Sequence, residues 1–421
     1  MAAGSTDKDA DVIVLGAGIV GVSIALHLQR LGRQTVLFDR RPAGEGTSFG
    51  NAGLIQREAV FPHAFPRDWR ELLGYALNRK TEGYYHASML PRLLRPFALY
   101  WYHSEPARYR AIARDYARLI AHCVDDHRAL VAEAGAESLL RDGGWTMGCE
   151  TPASLAENLK IAEESQRDYG VGFRALDGAA LAAAEPHLRA GLAGGVQWTD
   201  PVAVLDPLAL TRAYLALFEK LGGRFAYGDA RTLTRGGAGW SVTGEGTKIS
   251  AAEAVVALGA WSPVVTKPLG YDPPLFVKRG YHMHYRPEGN AVLNHPVFDV
   301  AGGYMLAPMN QGIRLTTGAE FADKDAPPTP VQLAKVEPLA HQLMPGLGQR
   351  IDPEAWVGAR PCTPDMLPII GPAPRQTGLW FGFGHGHQGL TLGPTTGRML
   401  AAMMTGREPV TDPKAFRPDR F

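Results

Sequence analysis

Cysteine is scarce in this chain, with only Cys123, Cys149 and Cys362 among 421 residues. They are odd in number, widely spaced and free of any C-x-x-C pair, which excludes a disulfide framework or a zinc site as the organising principle. Reduced, mostly buried thiols are expected. Charge of one sign is also lacking. The 43 Lys and Arg residues nearly balance 42 Asp and Glu, leaving a net charge of +1 and no electrostatic case for a nucleic-acid partner. Residues 1–10 are small, polar and acidic, without the apolar segment of an export signal. The first apolar stretch, 13–26, is interrupted by glycines and Ser23 and followed by His27, a poor membrane span. There is no internal repeat, no low-complexity tract and no Ser/His/Asp or metal-ligand constellation. What remains is the composition of a soluble globular protein, 45% hydrophobic and 20% charged. Its length exceeds one comfortable core, so two domains are expected. The expected location is cytoplasmic, with peripheral attachment to the inner face of the cell membrane as the alternative.

Against these absences stands Asp11–Asp39, DVIVLGAGIVGVSIALHLQRLGRQTVLFD. An apolar run enters G-x-G-x-x-G at Gly16, Gly18 and Gly21, a helix-period stretch follows to Leu31, and a second apolar run ends on Asp39. This strand, helix and parallel strand form a dinucleotide-binding unit. Gly16 permits the tight turn, Gly18 lets backbone N–H groups approach a pyrophosphate, and Gly21 lets helix and strand pack closely. The helix N-terminus offers unpaired donors to phosphate, and Asp39 can accept from a ribose diol.

A small-residue loop, AGEGTSFGNAGLI (Ala43–Ile55), follows Arg40 and Arg41 and carries Thr47, Ser48 and Asn51. Such a loop lets backbone lie against a flat ligand. From Asp68 to about Gly135 the pattern is mainly helical. Within it, Tyr84–Arg110 interleaves aromatics with arginines; core helices are the expectation there, because Pro91 and Pro96 should break a continuous membrane-surface helix. Gly143–Cys149 alternates like a strand, and helices open at Pro152 and Pro207. The strand Ala254–Leu258 ends in Gly259 and Ala260. Leu275–Tyr285 alternates and is rich in β-formers, placing Lys278, Tyr281, His282 and His284 on one strand. Further strands around 304–307 and 313–317 continue a mostly antiparallel sheet.

The expected fold class is therefore mixed α/β and α+β. A Rossmann-type nucleotide-binding domain comes in three pieces, 1–65, 201–274 and 351–421. A helical segment spans 66–139, and a mostly antiparallel substrate domain is made of 140–200 and 275–350.

Five motifs run in order along nearly the whole chain: the Gly16–Asp39 unit, GTSFGNAG (46–53), VVALGAWS (255–262), GARPCTPDMLPIIGP (358–372) and GHGHQGLTLGPTTG (384–397). In these the sequence resembles the D-amino-acid oxidase/dehydrogenase superfamily of FAD oxidoreductases, most of all bacterial D-amino-acid dehydrogenases and their D-hydroxyproline- and opine-oxidising relatives. The resemblance implies FAD as cofactor. It would place Asp39 at the adenosine ribose, together with Gly16, Gly18, Ile19, Gly21 and Arg40 of the same unit. Thr47, Ser48, Asn51, Ala52 and Gly53 would lie by the flavin and its ribityl chain, and Ala230, Ala257, Gly259 and Trp261 would bound the adenosine side. Gly384, Gly386, His387, Gln388, Gly389, Leu390 and Thr391 would bring a helix N-terminus against the flavin pyrimidine edge, where reduction develops negative charge.

By the same resemblance Arg360 would bind the substrate carboxylate through two parallel donors. Tyr281 would add a phenol to that carboxylate, and Tyr304, His387 and His282 are further pocket candidates. Relatives with covalent flavin attach it through a cysteine shortly before this block, where Gly358 stands here, so non-covalent FAD is expected. The implied reaction is oxidation of a D-amino acid or a D-imino acid such as D-hydroxyproline, with the amine neutral and the α-hydrogen leaving as hydride to flavin N5. The flavin carries the hard chemistry and the protein chiefly orients. The alternatives are oxidation of a secondary amine of sarcosine, glycine or opine type, a flavin-binding subunit of a larger complex, and an NAD-dependent protein. Quinone, partner protein and oxygen all remain open as electron acceptor.

Overall fold

The computed structural model describes residues 9–237 and 239–421; the segment 1–8, part of the stretch read as lacking an export signal, lies outside the described residues. Val12–Leu15 have no accessible surface, so the first strand, β1 (Ala10–Leu15), is buried on both faces, as a parallel strand between covering layers must be. The glycine turn leads into α1 (Ile19–Arg30), and the chain returns as β2 (Thr35–Asp39), parallel to β1 with Phe38 opposite Leu15.

Strands from far along the chain complete the parallel set. Thr247–Val256 lies beside β1, with Val256 opposite Leu15, and Leu379–Phe383 lies beside it, with Phe381 opposite Val256. Arg224–Tyr227 flanks β2 on the other side, with Tyr227 opposite Asp39. All five run the same way and end in register. Gly16, Asp39, Ala257 and Gly384 therefore gather along one carboxyl edge, where open α/β sheets bind ligands. Antiparallel strands extend this sheet to eight. Above it α1 packs on the closing helix Gly389–Met404. A Cβ at Gly397 would stand 2.6 Å from the Ser23 carbonyl oxygen, so close approach of the two helices requires glycine there.

The second sheet has eleven strands and is mostly antiparallel. Its spine, Phe276–Arg286, pairs with Gly312–Thr316 and with Trp356–Cys362. The latter strand was expected within the nucleotide-binding piece 351–421. It joins the second sheet instead, because its hydrogen-bonding partner lies far upstream and a local residue pattern carries no trace of such pairing. Within the segment read as helical, Gly83–Tyr85 forms a short strand parallel to Ala319–Phe321.

The helix Leu90–His103 runs through both prolines that were expected to break it. Pro91 sits in the first turn, where its missing N–H has no intrahelical partner to lose. Pro96 is interior, but Arg92, four residues before it, is exposed, so the freed carbonyl there can turn to solvent. The core expectation holds for one face only: Leu93, Pro96 and Tyr100 are buried, whereas Leu90, Leu94, Trp101 and Tyr102 are exposed. Among the described residues, no helix is long and apolar enough to cross a membrane.

Candidate active site

A cavity of about 1740 Å³ runs from the carboxyl edge of the parallel sheet to the face of the second sheet. At one end its walls are Asp39, Arg40, Asp229 and Ala230. Gly16–Val20, Gly46–Ala52 except Phe49, Ala257–Gly259 and Trp261 line the middle, and Gly384–Leu390, Tyr304, Lys278 and Arg360 line the far end. Almost every residue that the sequence nominated for cofactor or substrate thus borders one space. Of the cofactor residues Gly21, Gly53 and Thr391 do not, and of the substrate candidates Tyr281 and His282 do not. Gly21 packs the helix on its own turn, since a Cβ there would meet the Gly16 carbonyl oxygen at 1.8 Å. Gly53 has φ 73° and sits against the Val204 carbonyl, while the Thr391 hydroxyl is tied to Leu54 O and Gln56 N.

The glycine turn is braced from both sides. Asp39 Oδ2 accepts from Ala17 N at 2.8 Å and Oδ1 from Arg41 N at 3.0 Å. The Ser48 hydroxyl accepts from Ile19 N at 2.9 Å, satisfying a first-turn donor of α1, and Thr47 donates to Ala359 O, tying this loop to the second sheet. Asn51 Oδ1 accepts from Gly53 N and its Nδ2 donates to His387 O. At the opposite wall Gln388 begins the closing helix without a side-chain cap, and its Oε1 is buried with no hydrogen-bond partner among the described residues. These features fit a flavin dinucleotide: a turn without Cβ atoms for the pyrophosphate, a carboxylate for the ribose, and an orphaned acceptor beside open helix donors for a polar ring edge.

The second sheet determines which side chains face this space. In the pairing of 276–282 with 356–362, Lys278 lies opposite Arg360 and Gly280 opposite Gly358. Side chains alternate along a strand, so even-numbered residues of this stretch share the cavity face and Tyr281 lies on the other. There its hydroxyl donates to Glu320 Oε2 at 2.7 Å and accepts from Thr329 N, beside the buried pair Arg279–Glu320. Tyr281 is thereby corrected from carboxylate donor to structural residue. His282 is on the cavity-facing side but beyond the cavity itself, stacked on Trp356 at 4.8 Å. It groups with His284 and Asp352, but both His284 nitrogens are engaged, Nδ1 with Asp352 and Nε2 by the Arg314 guanidinium, whose charge opposes any cation.

Arg360 donates to Gly318 O at 2.8 Å and Thr317 O at 3.2 Å, leaving three of its five N–H groups uncommitted. Burial pulls its pKa down. Lys278 donates to the Tyr100 hydroxyl at 3.3 Å. Among the described residues neither has an ion-pair partner. Across the cavity the rings of His63 and His387 lie 4.9 Å apart. Burial, reinforced by the cations Lys278 and Arg360, lowers His63 to about 4 and His387 well below its ordinary value, so both are neutral at physiological pH. His387 Nε2 accepts from Gln388 Nε2, which also reaches Gln56, and Gln56 in turn donates to Glu58. Glu58 is buried, accepts from Trp145 Nε1 on the same oxygen, and keeps its second oxygen without a partner. Burial pushes its pKa up to about 7.

Lys278, His63 and Glu58 escaped the sequence reading. The strand pattern contained Lys278 but not which face it takes; Glu58, in a stretch without periodicity, left no signal.

Comparison with known proteins agrees with this geometry. The family model described as FAD dependent oxidoreductase matches residues 11–403. A protein named D-amino acid dehydrogenase from Methylobacterium nodulans is 30% identical over 409 residues, covering 94% of this chain and 96% of its own. Another of that name from Cereibacter sphaeroides is 32% identical over 423 residues, covering 94% and 92%. The crystal structure of glycine oxidase from Geobacillus kaustophilus superposes with a TM-score of 0.75 at 21% identity, covering 98% of this chain and 99% of that one.

Proposed function

The chain belongs to the family of FAD-dependent oxidoreductases, and from that premise we propose that it oxidises the Cα–N bond of a D-amino acid or a D-imino acid such as D-hydroxyproline, with FAD held non-covalently. Bound FAD supplies a two-electron acceptor for the substrate's α-hydride. Relatives named D-amino acid dehydrogenase over nearly the full length support the substrate class. The observation that carries the reading is Arg360, a guanidinium facing the cavity with free donors and no carboxylate partner among the described residues. A buried cation in want of a counter-ion binds an α-carboxylate in bidentate fashion and fixes the α-carbon. Its charge also disfavours a second positive charge nearby, which helps to keep the substrate amine in the neutral form that expels hydride. The neutral His63 and His387 add no competing charge. Phe65, Phe97 and Phe276 also line the cavity and make part of its wall apolar. Tyr304 is not among the substrate contacts: Met305, opposite Thr316, takes the cavity face, and the Tyr304 ring packs with Tyr281 in the core behind the sheet.

The test is spectroscopic. The purified protein should show oxidised-flavin bands near ~370 and ~450 nm that bleach anaerobically with one member of a panel of D-amino acids, D-hydroxyproline, glycine, sarcosine and opines. Flavin that no member reduces overturns the reading; bleaching by sarcosine or an opine alone moves it to secondary amines.

Peripheral membrane attachment has a candidate surface. Trp69 is 67% and Leu94 69% exposed, Leu73 and Leu77 project from the same region, and Arg67 stacks on Trp101 at 4.1 Å. Aromatic and cationic side chains of this kind suit a lipid interface. Membrane fractions that lack the protein after a salt wash would argue against attachment.

A further inference from the structure

Arg279, on the far face of the sheet, has its charge matched by Glu320. The next residue back, Lys278, and its cross-strand neighbour Arg360 form the opposite case: two cations on the cavity face with no carboxylate paired to either among the described residues. Directly opposed residues of an antiparallel pair hold their Cβ atoms about 4.5–5.5 Å apart, and like charges there repel. Among the described residues nothing nearby neutralises them. His63 and His387 are uncharged, and burial keeps Cys362 a neutral thiol. One α-carboxylate would cancel one charge and leave the other.

The surroundings of Lys278 favour retention of that charge. Its ammonium lies 4.8 Å from the centroid of Tyr100, 5.6 Å from Phe276 and 5.9 Å from Phe321. Aromatic faces attract a cation without neutralising it. Of its three N–H donors, one meets the Tyr100 hydroxyl. The remaining donors are poised beside a cavity that Arg360 also faces, within reach of one small molecule.

We propose that Lys278 binds a second carboxylate, so that the preferred substrate is an amino- or imino-dicarboxylate bridging Arg360 and Lys278. This rests on the amino-acid oxidation proposed above. The decisive pair is D-glutamate and its uncharged isostere D-glutamine, followed anaerobically by flavin bleaching in the holoprotein and in Lys278→Met. The native protein should favour D-glutamate in kcat/KM by at least about tenfold, as expected of a charge-assisted hydrogen bond, and Lys278→Met should lower that ratio about tenfold. Lys278→Arg, which keeps the charge, should retain the preference and guards against misfolding as the cause. A readout without turnover is equilibrium binding of unreactive succinate, measured by calorimetry and by its perturbation of the flavin spectrum; Lys278→Met should weaken it about tenfold. Equal losses for both amino acids in Lys278→Met would overturn the proposal, because the two cations would then share one carboxylate. No native preference for D-glutamate would overturn it as well. If no amino acid bleaches the flavin but succinate binding still depends on Lys278, the oxidation reading falls and the second anion site stands.

Discussion

Gly280 lies under the guanidinium of Arg360: a Cβ built on it would stand 2.2 Å from Nη2 and 2.6 Å from Cζ. The seat of the arginine proposed to bind the substrate carboxylate is therefore a missing side chain on the neighbouring strand. Because the clash is with the far end of a flexible side chain, Gly280→Ala should leave folding and flavin content near wild type while displacing Arg360. We expect KM to rise by roughly tenfold, the loss of about one charge-assisted hydrogen bond. Steady-state kinetics beside a thermal melt would check it.

Arg360→Lys keeps the charge and loses the fork. Bidentate recognition is what a lysine cannot reproduce, so kcat/KM should fall by about ten- to a hundredfold, and further in Arg360→Ala. Near-wild-type kinetics of Arg360→Ala with a D-amino acid would remove the residue from the site.

Ser48→Ala takes away the acceptor of Ile19 N at the start of α1. Loss of such a cap costs about 1 kcal/mol. We expect a lower Tm and faster loss of flavin on dilution; the latter is read by recovery of free-flavin fluorescence, and an unchanged release rate would separate Ser48 from cofactor binding.

Glu58 introduces a pH dependence whose sign follows from its raised pKa. An acid that titrates near 7 in the folded state and near 4.3 unfolded holds its proton longer in the folded chain. Stability therefore falls as pH rises between those values and is flat above. Glu58→Gln abolishes that loss, so the Tm difference between variant and wild type should shift in the variant's favour from pH 4.5 to pH 8. A constant difference across this range would show that Glu58 ionises normally.

Acid precipitation should release all flavin to the supernatant. Cys362 does line the cavity, yet burial raises its thiol pKa, and the thiol form is a poor nucleophile. Yellow colour in the pellet would refute non-covalent binding.

The local physics of Asp11–Asp39 is legible in the residues because strand, glycine turn, helix and second strand are contiguous. Gly16 and Gly21 answer to constraints within a few residues or at the adjacent strand end. The cavity-lining loop 46–52 and the helix start at Gln388 were legible for the same reason, with the resemblance supplying their roles. Pairing between distant strands was not. Trp356–Cys362 looked like part of the nucleotide-binding piece until its register with Phe276–Arg286 put it in the second sheet.

That single register decides much of the site. Alternation along 275–285 was visible in the sequence, but the period of two leaves open which half of the residues faces inward. Tertiary pairing turned Tyr281 toward Glu320, away from the carboxylate role the resemblance implied, and turned Lys278, to which no role had been given, toward the cavity. Glu58 and His63 depended on folding for another reason: a side chain's protonation follows from burial and neighbouring charge, which are properties of the assembled walls. The sequence by itself determined the nucleotide-binding scaffold and the family; only the tertiary structure decided which cations share the cavity face, since that is set by contacts between residues some eighty positions apart.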